Sequence, residues 1–270
     1  MSQATAPVYA DIVDLRRYPI HDLDSDTGRA FVARCRTELR NAGVCQLPGF
    51  VVPDAVDRMV AHAEVLSEKA FRTDNTHTVY FEPVDTEVPA GHPRAMPQRS
   101  AKRTIAYDQI PAETPIRRLY ETDDLTRFIA AVLGKEELHR SADALDAVMI
   151  AIFDEGDELG WHFDRSEFAV TVMYQDASGG GHFDYFPGLR NAEDPNYDTI
   201  ERIIHGDTEN MIRLPGAAGT LAIFHGRNAL HRVSPTTGSQ PRLNSVLTYG
   251  EKADMKLNDL TRGLFYGRNA

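Results

Sequence analysis

The segment GWHFD contains a histidine and an aspartate two positions apart, His162 and Asp164. On an extended chain, residues at this spacing project from the same face, so both side chains can bind one metal ion. A second histidine from a distant strand would complete a set of two imidazoles and one carboxylate on one side of the metal. The spacing therefore predicts a metal centre with open coordination positions.

The third ligand is predicted to be His231, in the segment NALHRVSP. His205 and His225 are competing candidates, but only His231 is followed at a suitable distance by an arginine that opens an alternating strand. That arginine is Arg242, in RLNSVLTY. A guanidinium binds a carboxylate through two parallel charge-assisted hydrogen bonds, so Arg242 predicts an anion site beside the metal, with Asn244 on the same face.

The sequence contains HFD twice, since His182 and Asp184 repeat the pattern in GGGHFDYFP. A histidine beside an aspartate is more often an ordinary hydrogen-bonded pair than a metal site. The first copy follows a strand and the turn-like segment EGDELG, whereas the second follows a run of glycines and continues a hairpin strand. We therefore predict that His182 has a structural role or supports the metal ligands without binding the metal itself.

The composition is that of a globular protein, with 42% hydrophobic and 26% charged residues in a chain of 270. A net charge of −11 opposes binding to nucleic acid, because phosphate binding requires a basic surface. No apolar run is long enough for a membrane span, and Met1 to Pro7 lacks the pattern of a signal peptide, which predicts a soluble cytoplasmic protein. Cys35 and Cys45 form no CxxC pair, which argues against a zinc site or a disulfide scaffold.

The pattern of apolar residues differs between the two halves of the chain. Helical spacing predicts helices at about 27–42, 53–66 and 123–133, a short strand at 44–47, and long loops over 72–115. Later, short alternating runs predict strands at 147–153, 169–174, 182–186, 211–214, 220–224, 231–233 and 242–249, with a short helix within 188–210. This pattern predicts an α+β protein with a double-stranded β-helix (jelly-roll) core on which N-terminal helices pack.

Several motifs resemble those of the iron(II)/2-oxoglutarate-dependent oxygenase superfamily, namely GWHFD, the glycine turn GGHF, GTLAIFHGRNALHRVSP and QPRLNSVLTY. DEGDELGWHFDRSEF, GRNALHRVSP and the late FYGR are most similar to the group of carrier-independent amino-acid halogenases and their hydroxylase relatives. The resemblance implies a dioxygenase that binds iron(II) through His162, Asp164 and His231, anchors 2-oxoglutarate through Arg242, and consumes O2. The implied reaction is C–H abstraction by a ferryl species followed by hydroxyl rebound.

Asp164 separates this chain from the halogenases of that group, in which a small residue replaces the carboxylate and opens a position for chloride. Hydroxylation is therefore expected, with desaturation as another oxidative outcome. Asn244 is a second departure, since many members have a hydroxyl residue there. The implied substrate is a small polar metabolite, above all a free amino acid. Hydroxylation of a peptide or protein side chain, and a non-catalytic metal-binding jelly-roll module, are the alternatives.

Capture of an amino acid requires a cation for the carboxylate and an acid for the amine. Arg99 and Arg103, in MPQRSAKRT, are candidates for the first role, and Asp146 and Glu167 for the second. Trp161, beside a predicted ligand, is a candidate wall of the pocket. Each of these residues could equally be an ordinary surface or core residue. We expect one catalytic domain over 1–270, with a mainly helical part and lid loops (1–140), the jelly-roll core (141–250) and a C-terminal helix or tail (251–270).

Overall fold

The computed structural model describes residues 6–269. Residues 1–5, on which the expectation about a signal peptide partly depends, and residue 270 lie outside the described residues. The described chain contains the α-helices α1 (Asp26–Ala42), α2 (Pro53–Leu66), α3 (Pro115–Tyr120), α4 (Asp123–Leu133), α5 (Tyr197–Ile204) and α6 (Asp259–Tyr266). Among residues 6–269, no helix has the length and apolar character that crossing a membrane requires.

The β-strands form one large antiparallel sheet and two small ribbons. The strands are β1 (Val44–Leu47), β2 (Phe71–His77), β3 (Gln98–Ile105), β4 (His139–Arg140), β5 (Val148–Phe153), β6 (Glu158–His162), β7 (Ala169–Gln175), β8 (Gly179–Gly180), β9 (Phe183–Phe186), β10 (Ile212–Leu214), β11 (Leu221–Phe224), β12 (Leu230–Val233), β13 (Thr236–Thr237), β14 (Arg242–Leu247) and β15 (Tyr249–Gly250). The large sheet has the order β1-β11-β7-β14-β5-β3-β6-β12-β9-β10, with β2 paired to β3. The ribbons are β13-β8 and β15-β4.

The large sheet has an outer face packed against helices and an inner face toward which it curls, and the region that this inner face surrounds is called the cavity below. In β5, Ile150 and Ile152 point outward into the main core, which α1, α2, α3 and α4 complete. Ala151 and Phe153 point inward, where they pack against Val233 of β12. Since β5 and β12 belong to opposite halves of the sheet, this contact shows that the sheet curls on itself. The predicted α+β jelly roll is confirmed.

The predicted helices over 27–42, 53–66 and 123–133 are confirmed as α1, α2 and α4. In α1 the apolar residues recur at helical spacing and bury one face against the sheet. The hydroxyl of Ser25 accepts a hydrogen bond from the backbone N–H of Gly28, which caps the first turn. Gly43 adopts φ 72°, a left-handed conformation that ends the helix and leads directly into β1.

The prediction of long loops over 72–115 is confirmed only in part, because residues 78–97 form a long loop but β2 and β3 occupy the chain on either side of it and α3 begins at Pro115. β3 lies in the middle of the sheet, between β5 and β6. Its sequence, QRSAKRTI, lacks the apolar alternation of a buried strand, since its inner face meets a polar cavity and its outer face carries arginines. The sheet therefore draws on the first 140 residues as well as on 141–250.

Candidate active site

Strands β6 and β12 place the predicted ligand histidines side by side. His162 ends β6 and pairs with His231 of β12, and their ring centroids are 4.0 Å apart. A bulge in β6 between Leu159 and His162 adds one residue and brings His162 to the inner face. Asp164 follows the strand, with Oδ1 3.7 Å from Nε2 of His162 and 3.5 Å from Nε2 of His231. The structure thus brings the three predicted ligands together, with one ligand atom from each within 4.8 Å of the others.

The backbone orients both histidine rings. Nδ1 of His162 hydrogen-bonds to the carbonyl oxygen of Gly160 at 2.8 Å, and Nδ1 of His231 to that of Ala229 at 2.9 Å. A carbonyl can only accept, so Nδ1 carries the proton and Nε2 keeps its lone pair for a metal. Burial, together with the charge of His231, holds the pKa of His162 well below its ordinary value. The ring is therefore neutral, as metal binding requires.

The carboxylate of Asp164 is in close contact with the backbone at Gly226. The backbone N–H of Asp164 donates to the carbonyl of Gly226 at 3.1 Å, and a Cβ atom at Gly226 would overlap the carboxylate. Oδ2 is buried and has no hydrogen-bond partner within residues 6–269. Burial raises the pKa of Asp164, but the imidazole of His231, 3.5 Å from Oδ1, outweighs this effect and lowers the pKa overall. A carboxylate that faces the Nε2 atoms of two histidines fits a divalent metal ion.

Arg242, at the start of β14, projects onto the inner face of the sheet. It lies opposite Phe153, and its guanidinium is 5.5 Å from the centroid of that ring. Arg242 is only 8% exposed, and its side chain donates to Oδ1 of Asn244 without forming an ion pair to any described carboxylate. Burial lowers the pKa of Arg242 to about 10, so the group stays charged at neutral pH. A buried cation without a counter-ion indicates a site for an anionic ligand.

Lys102 of β3 is a second buried cation in the same cavity, and the sequence did not single it out. It is 5% exposed, and its ammonium lies 5.3 Å from the ring centroid of Phe265 in α6. Burial lowers the pKa of Lys102 to about 8, while the charges of Asp146, Arg242 and Asp164 also act on it. No described carboxylate pairs with this ammonium. The cavity therefore contains two cations that form no ion pair within the described part of the chain.

Asp146 is the predicted substrate-binding residue that the structure places at this cavity. Its carboxylate accepts hydrogen bonds from the hydroxyl of Tyr266 at 2.6 Å and from Thr248 at 3.2 Å. Burial raises the pKa of Asp146 to about 6. Tyr266 and Phe265 both belong to α6, so the C-terminal helix closes one side of the cavity. Apart from the FYGR resemblance, no sequence pattern places the C-terminal residues at the site.

The structure does not bring Arg99 or Arg103 to the cavity, which corrects the prediction that they bind the substrate carboxylate. Both lie on the face of β3 opposite Lys102, because alternate residues of a strand point to opposite sides. Arg99 pairs with Asp74 at 2.9 Å and Arg103 with Asp154 at 2.6 Å. If 98–105 had been predicted as a strand, Lys102 would have been the candidate for the substrate carboxylate, because its side chain points to the opposite face from Arg99 and Arg103.

Glu167 and Trp161 are also outside the cavity. Glu167 lies at the surface, where it pairs with Lys135 at 2.7 Å. Trp161 points away from the ligands and packs against Phe186, with the guanidinium of Arg232 4.5 Å above its ring. The expected wall of the pocket is therefore a core residue, because the bulge that brings His162 to the inner face leaves Trp161 on the outer face.

The second HFD segment makes ion pairs and hydrogen bonds that connect strands of the sheet. Asp184 is fully buried and pairs with Arg213 at 2.7 Å and Arg232 at 3.1 Å on the outer face. The backbone N–H of His182 donates to Ser234 Oγ at 3.0 Å. These contacts join β9, β10 and β12, and no metal cluster includes the segment among the described residues.

The protein shares its fold with solved structures of low sequence identity. An oxidoreductase of the 2OG-Fe(II) oxygenase family from Burkholderia pseudomallei is 18% identical, with a TM-score of 0.51, covering 82% of this chain and 91% of that chain. AviO1 from Streptomyces viridochromogenes is 17% identical, with a TM-score of 0.56 and coverages of 84% and 97%. The epimerase SnoN, in complex with Fe3+, alpha ketoglutarate and nogalamycin RO, is 15% identical, with a TM-score of 0.51 and coverages of 82% and 84%.

No curated protein sequence matches this chain. A family model described as Halogenase D matches residues 27–263, a range that includes the three clustered ligands, Arg242 and Lys102. Together with the shared fold, this match confirms the predicted resemblance to the iron(II)/2-oxoglutarate oxygenase superfamily. The chain belongs to the Halogenase D family.

Proposed function

We propose that this protein is an iron(II)- and 2-oxoglutarate-dependent dioxygenase that hydroxylates a free amino acid. One observation carries the proposal: an open triad of two histidines and one aspartate shares the inner face of the sheet with a buried, unpaired arginine. The triad fits a metal that must keep positions free for other ligands. The arginine fits a co-substrate with a carboxylate at its far end.

The residues of the site have separate tasks. His162 and His231 would hold iron through Nε2, and Asp164 through its carboxylate. Bound iron, with 2-oxoglutarate and O2, supplies the oxidation of a C–H bond. Arg242 would bind the distal carboxylate of 2-oxoglutarate, and Asn244 holds its guanidinium in place. The structure of SnoN, which contains Fe3+ and alpha ketoglutarate in the same fold, supports this assignment.

Asp164 favours hydroxylation over the halogenation that the family description suggests. A halide needs a coordination position at the metal, and here a carboxylate stands at the place where that position would be opened. Gly226 lies directly against this carboxylate, since a Cβ atom there would overlap Oδ2. Hydroxylation is therefore the outcome that this donor set supports.

The enclosure of the site supports a small substrate rather than a peptide side chain. The side chains of His162 and His231 are 3% and 5% exposed, and that of Asp164 is 22% exposed. Phe265 and Tyr266 of α6 cover the cavity on one side. A peptide would need an open groove, whereas ligands buried to this extent suit a metabolite that enters whole.

Lys102 and Asp146 support an amino acid as that metabolite. Both groups are charged near neutral pH, and their charges act on one another without a direct ion pair. The ammonium of Lys102 can bind a carboxylate, and the carboxylate of Asp146 can accept from an amine. A bound zwitterion would pair with Lys102 and with Asp146, and these interactions would offset the desolvation cost of burying the two charges.

Two measurements test the proposed function. Anaerobic addition of iron(II) and 2-oxoglutarate should produce the metal-to-ligand absorption band of an iron–2-oxoglutarate complex. In air, succinate release across a panel of free amino acids should identify a substrate that gains one oxygen atom, also in the presence of chloride. Absence of the band would favour a non-catalytic metal-binding module. A band without turnover of any amino acid would contradict the proposed substrate class.

Lys102→Met is expected to weaken amino-acid binding without affecting 2-oxoglutarate. Loss of a charge-assisted bond should raise the KM for the amino acid by about 10- to 150-fold. The melting temperature should stay the same or rise, because an apolar side chain replaces an unpaired buried cation. Lys135→Met, which removes a surface lysine paired with Glu167, is the control. Equal KM values in the two variants would contradict the role of Lys102.

Amino-acid binding is expected to be tightest between about pH 6 and pH 8. Lys102 is charged below its pKa of about 8, and Asp146 is charged above its pKa of about 6, so both partners of a zwitterion are present only in this window. The kcat/KM profile should therefore fall on both sides. Asp146→Asn should remove the acidic limb, and Lys102→Met the basic limb. A profile that neither substitution changes would exclude both groups from binding.

A further inference from the structure

Phe81 has a backbone conformation that its side chain disfavours. Its φ is 55°, in the left-handed region. Among residues 6–269, the other non-glycine residues with positive φ are Asn196 and Asn210, and asparagine tolerates this conformation. Strain of this kind persists where surrounding contacts impose it, and such positions concentrate at functional sites.

Hydrogen bonds from the residues before and after the ligand Asp164 hold the turn that contains Phe81. Within the turn over 78–82, the backbone N–H of Phe81 donates to the carbonyl of Thr78 at 2.9 Å. The N–H of Phe163 donates to the carbonyl of Val79 at 2.8 Å, and the guanidinium of Arg165 donates to the carbonyl of Phe81 at 2.9 Å. The turn is therefore attached to the residues directly before and after the ligand, so its position follows that of the metal centre.

The ring of Phe81 stands between the metal ligands and the C-terminal helix. Its centroid is 4.7 Å from that of His162 and 4.3 Å from that of His77. On its other side it meets the ring of Phe265 edge to face at 6.4 Å, and Phe265 lies against the ammonium of Lys102. The two phenylalanines form a continuous apolar wall that leads from Lys102 to His162.

We propose that Phe81 is a specificity-determining residue, whose ring packs against the aliphatic part of the substrate and determines which carbon faces the metal. The inference rests on the proposed function and adds that the substrate has an apolar segment between its charged groups and the oxidised carbon. A substrate held at Lys102 must pass along the wall to reach the ligands. The strained turn keeps the ring at a fixed distance from His162, and removal of the ring would let the chain of the substrate shift.

Two substitutions separate the ring from the strain. Phe81→Ala removes the ring and keeps a side chain that disfavours φ 55°, whereas Phe81→Gly removes the ring and relieves the strain. We expect Phe81→Gly to melt at a higher temperature than Phe81→Ala. Both variants should still form the iron–2-oxoglutarate absorption band, because neither removes a ligand.

Product analysis tests the specificity itself, with norvaline, norleucine, ornithine and lysine as probes. Both variants should lower the amount of hydroxylated product per succinate by about tenfold or more, since a small displacement of a reacting carbon has an effect of this size or larger. The site of hydroxylation on the longer probes should also change. Phe81→Leu, which keeps an apolar side chain of similar reach, should restore part of the coupling, that is, the amount of hydroxylated product formed per succinate released.

Tyr80→Ala is the matched control, because it removes a ring from the same turn that stacks on Phe163 at 5.8 Å instead of facing the ligands. It should lower the melting temperature and leave coupling and product unchanged. If Phe81→Ala matches the wild type in coupling and product, the inference is wrong while the proposed function stands. Equal melting temperatures of the Ala and Gly variants would refute the strain. A wild type that oxidises none of the probes would contradict the proposed substrate class and this inference with it.

Discussion

Replacing Arg242 by methionine is expected to remove the use of 2-oxoglutarate and leave the protein at least as stable as the wild type. The guanidinium is buried, charged and without a counter-ion among the described residues, so the co-substrate would be its partner. Truncating one member of a buried charge pair costs about 2–5 kcal/mol. The KM for 2-oxoglutarate should therefore rise by about 30-fold to several thousand-fold.

The stability of Arg242→Met without ligand should be unchanged or higher, although its binding of 2-oxoglutarate is weaker. This difference shows that the loss of binding does not come from a folding defect. In the protein without ligand, methionine replaces an uncompensated cation, a change that is often neutral or stabilising. The KM of Arg242→Lys for 2-oxoglutarate should lie between those of the wild type and Arg242→Met, because a lysine keeps the charge but cannot form two parallel hydrogen bonds to a carboxylate. Arg99→Met, on the outer face of β3, is the control and should leave the KM unchanged. A 2-oxoglutarate KM that Arg242→Met does not alter would place the co-substrate elsewhere.

Adding one methyl group at Gly226 is expected to disable the metal centre. A Cβ atom there would overlap the carboxylate of Asp164, and a carboxylate that moved aside would lose its distances to His162 and His231. Displacing a ligand by altering its support lowers metal affinity or activity by about 10- to 100-fold. Gly226→Ala should therefore show weaker iron(II) binding in an anaerobic titration and a lower melting temperature from overpacking.

A double substitution identifies the cause of this loss. Asp164→Gly removes the carboxylate with which the new methyl group would collide, so the melting temperature of the double variant should recover while iron binding does not. Gly263→Ala is the control, since a Cβ there meets nothing within 4 Å and an alanine favours the helix. Additive losses of melting temperature in Gly226→Ala and Asp164→Gly would show that the two residues act independently, contrary to the overlap in the structure.

Patterns that are local in the chain were readable from the sequence. The two-residue spacing of His162 and Asp164, and the alternation that starts at Arg242, depend on the period of an extended strand. The apolar runs gave most strands of the second half, because there one face is buried in the core. Even so, Asp164 lies beyond the end of β6 and His162 reaches the inner face through a bulge, so the convergence did not follow from strand geometry alone.

Contacts between segments that are distant in the sequence determined the other residues of the site. Lys102, Phe81 and Gly226 carry no local signal, since their importance depends on what the fold brings opposite to them. Arg99 and Arg103 were equally credible in the sequence, and the phase of β3 alone turned them outward. The sequence by itself determined the ligand types, the arginine and the jelly-roll class, because spacing and alternation are properties of the chain. The tertiary structure alone decided which charged residues share the cavity, because the burial of a side chain and the residues opposite it are set only when separate strands pack together.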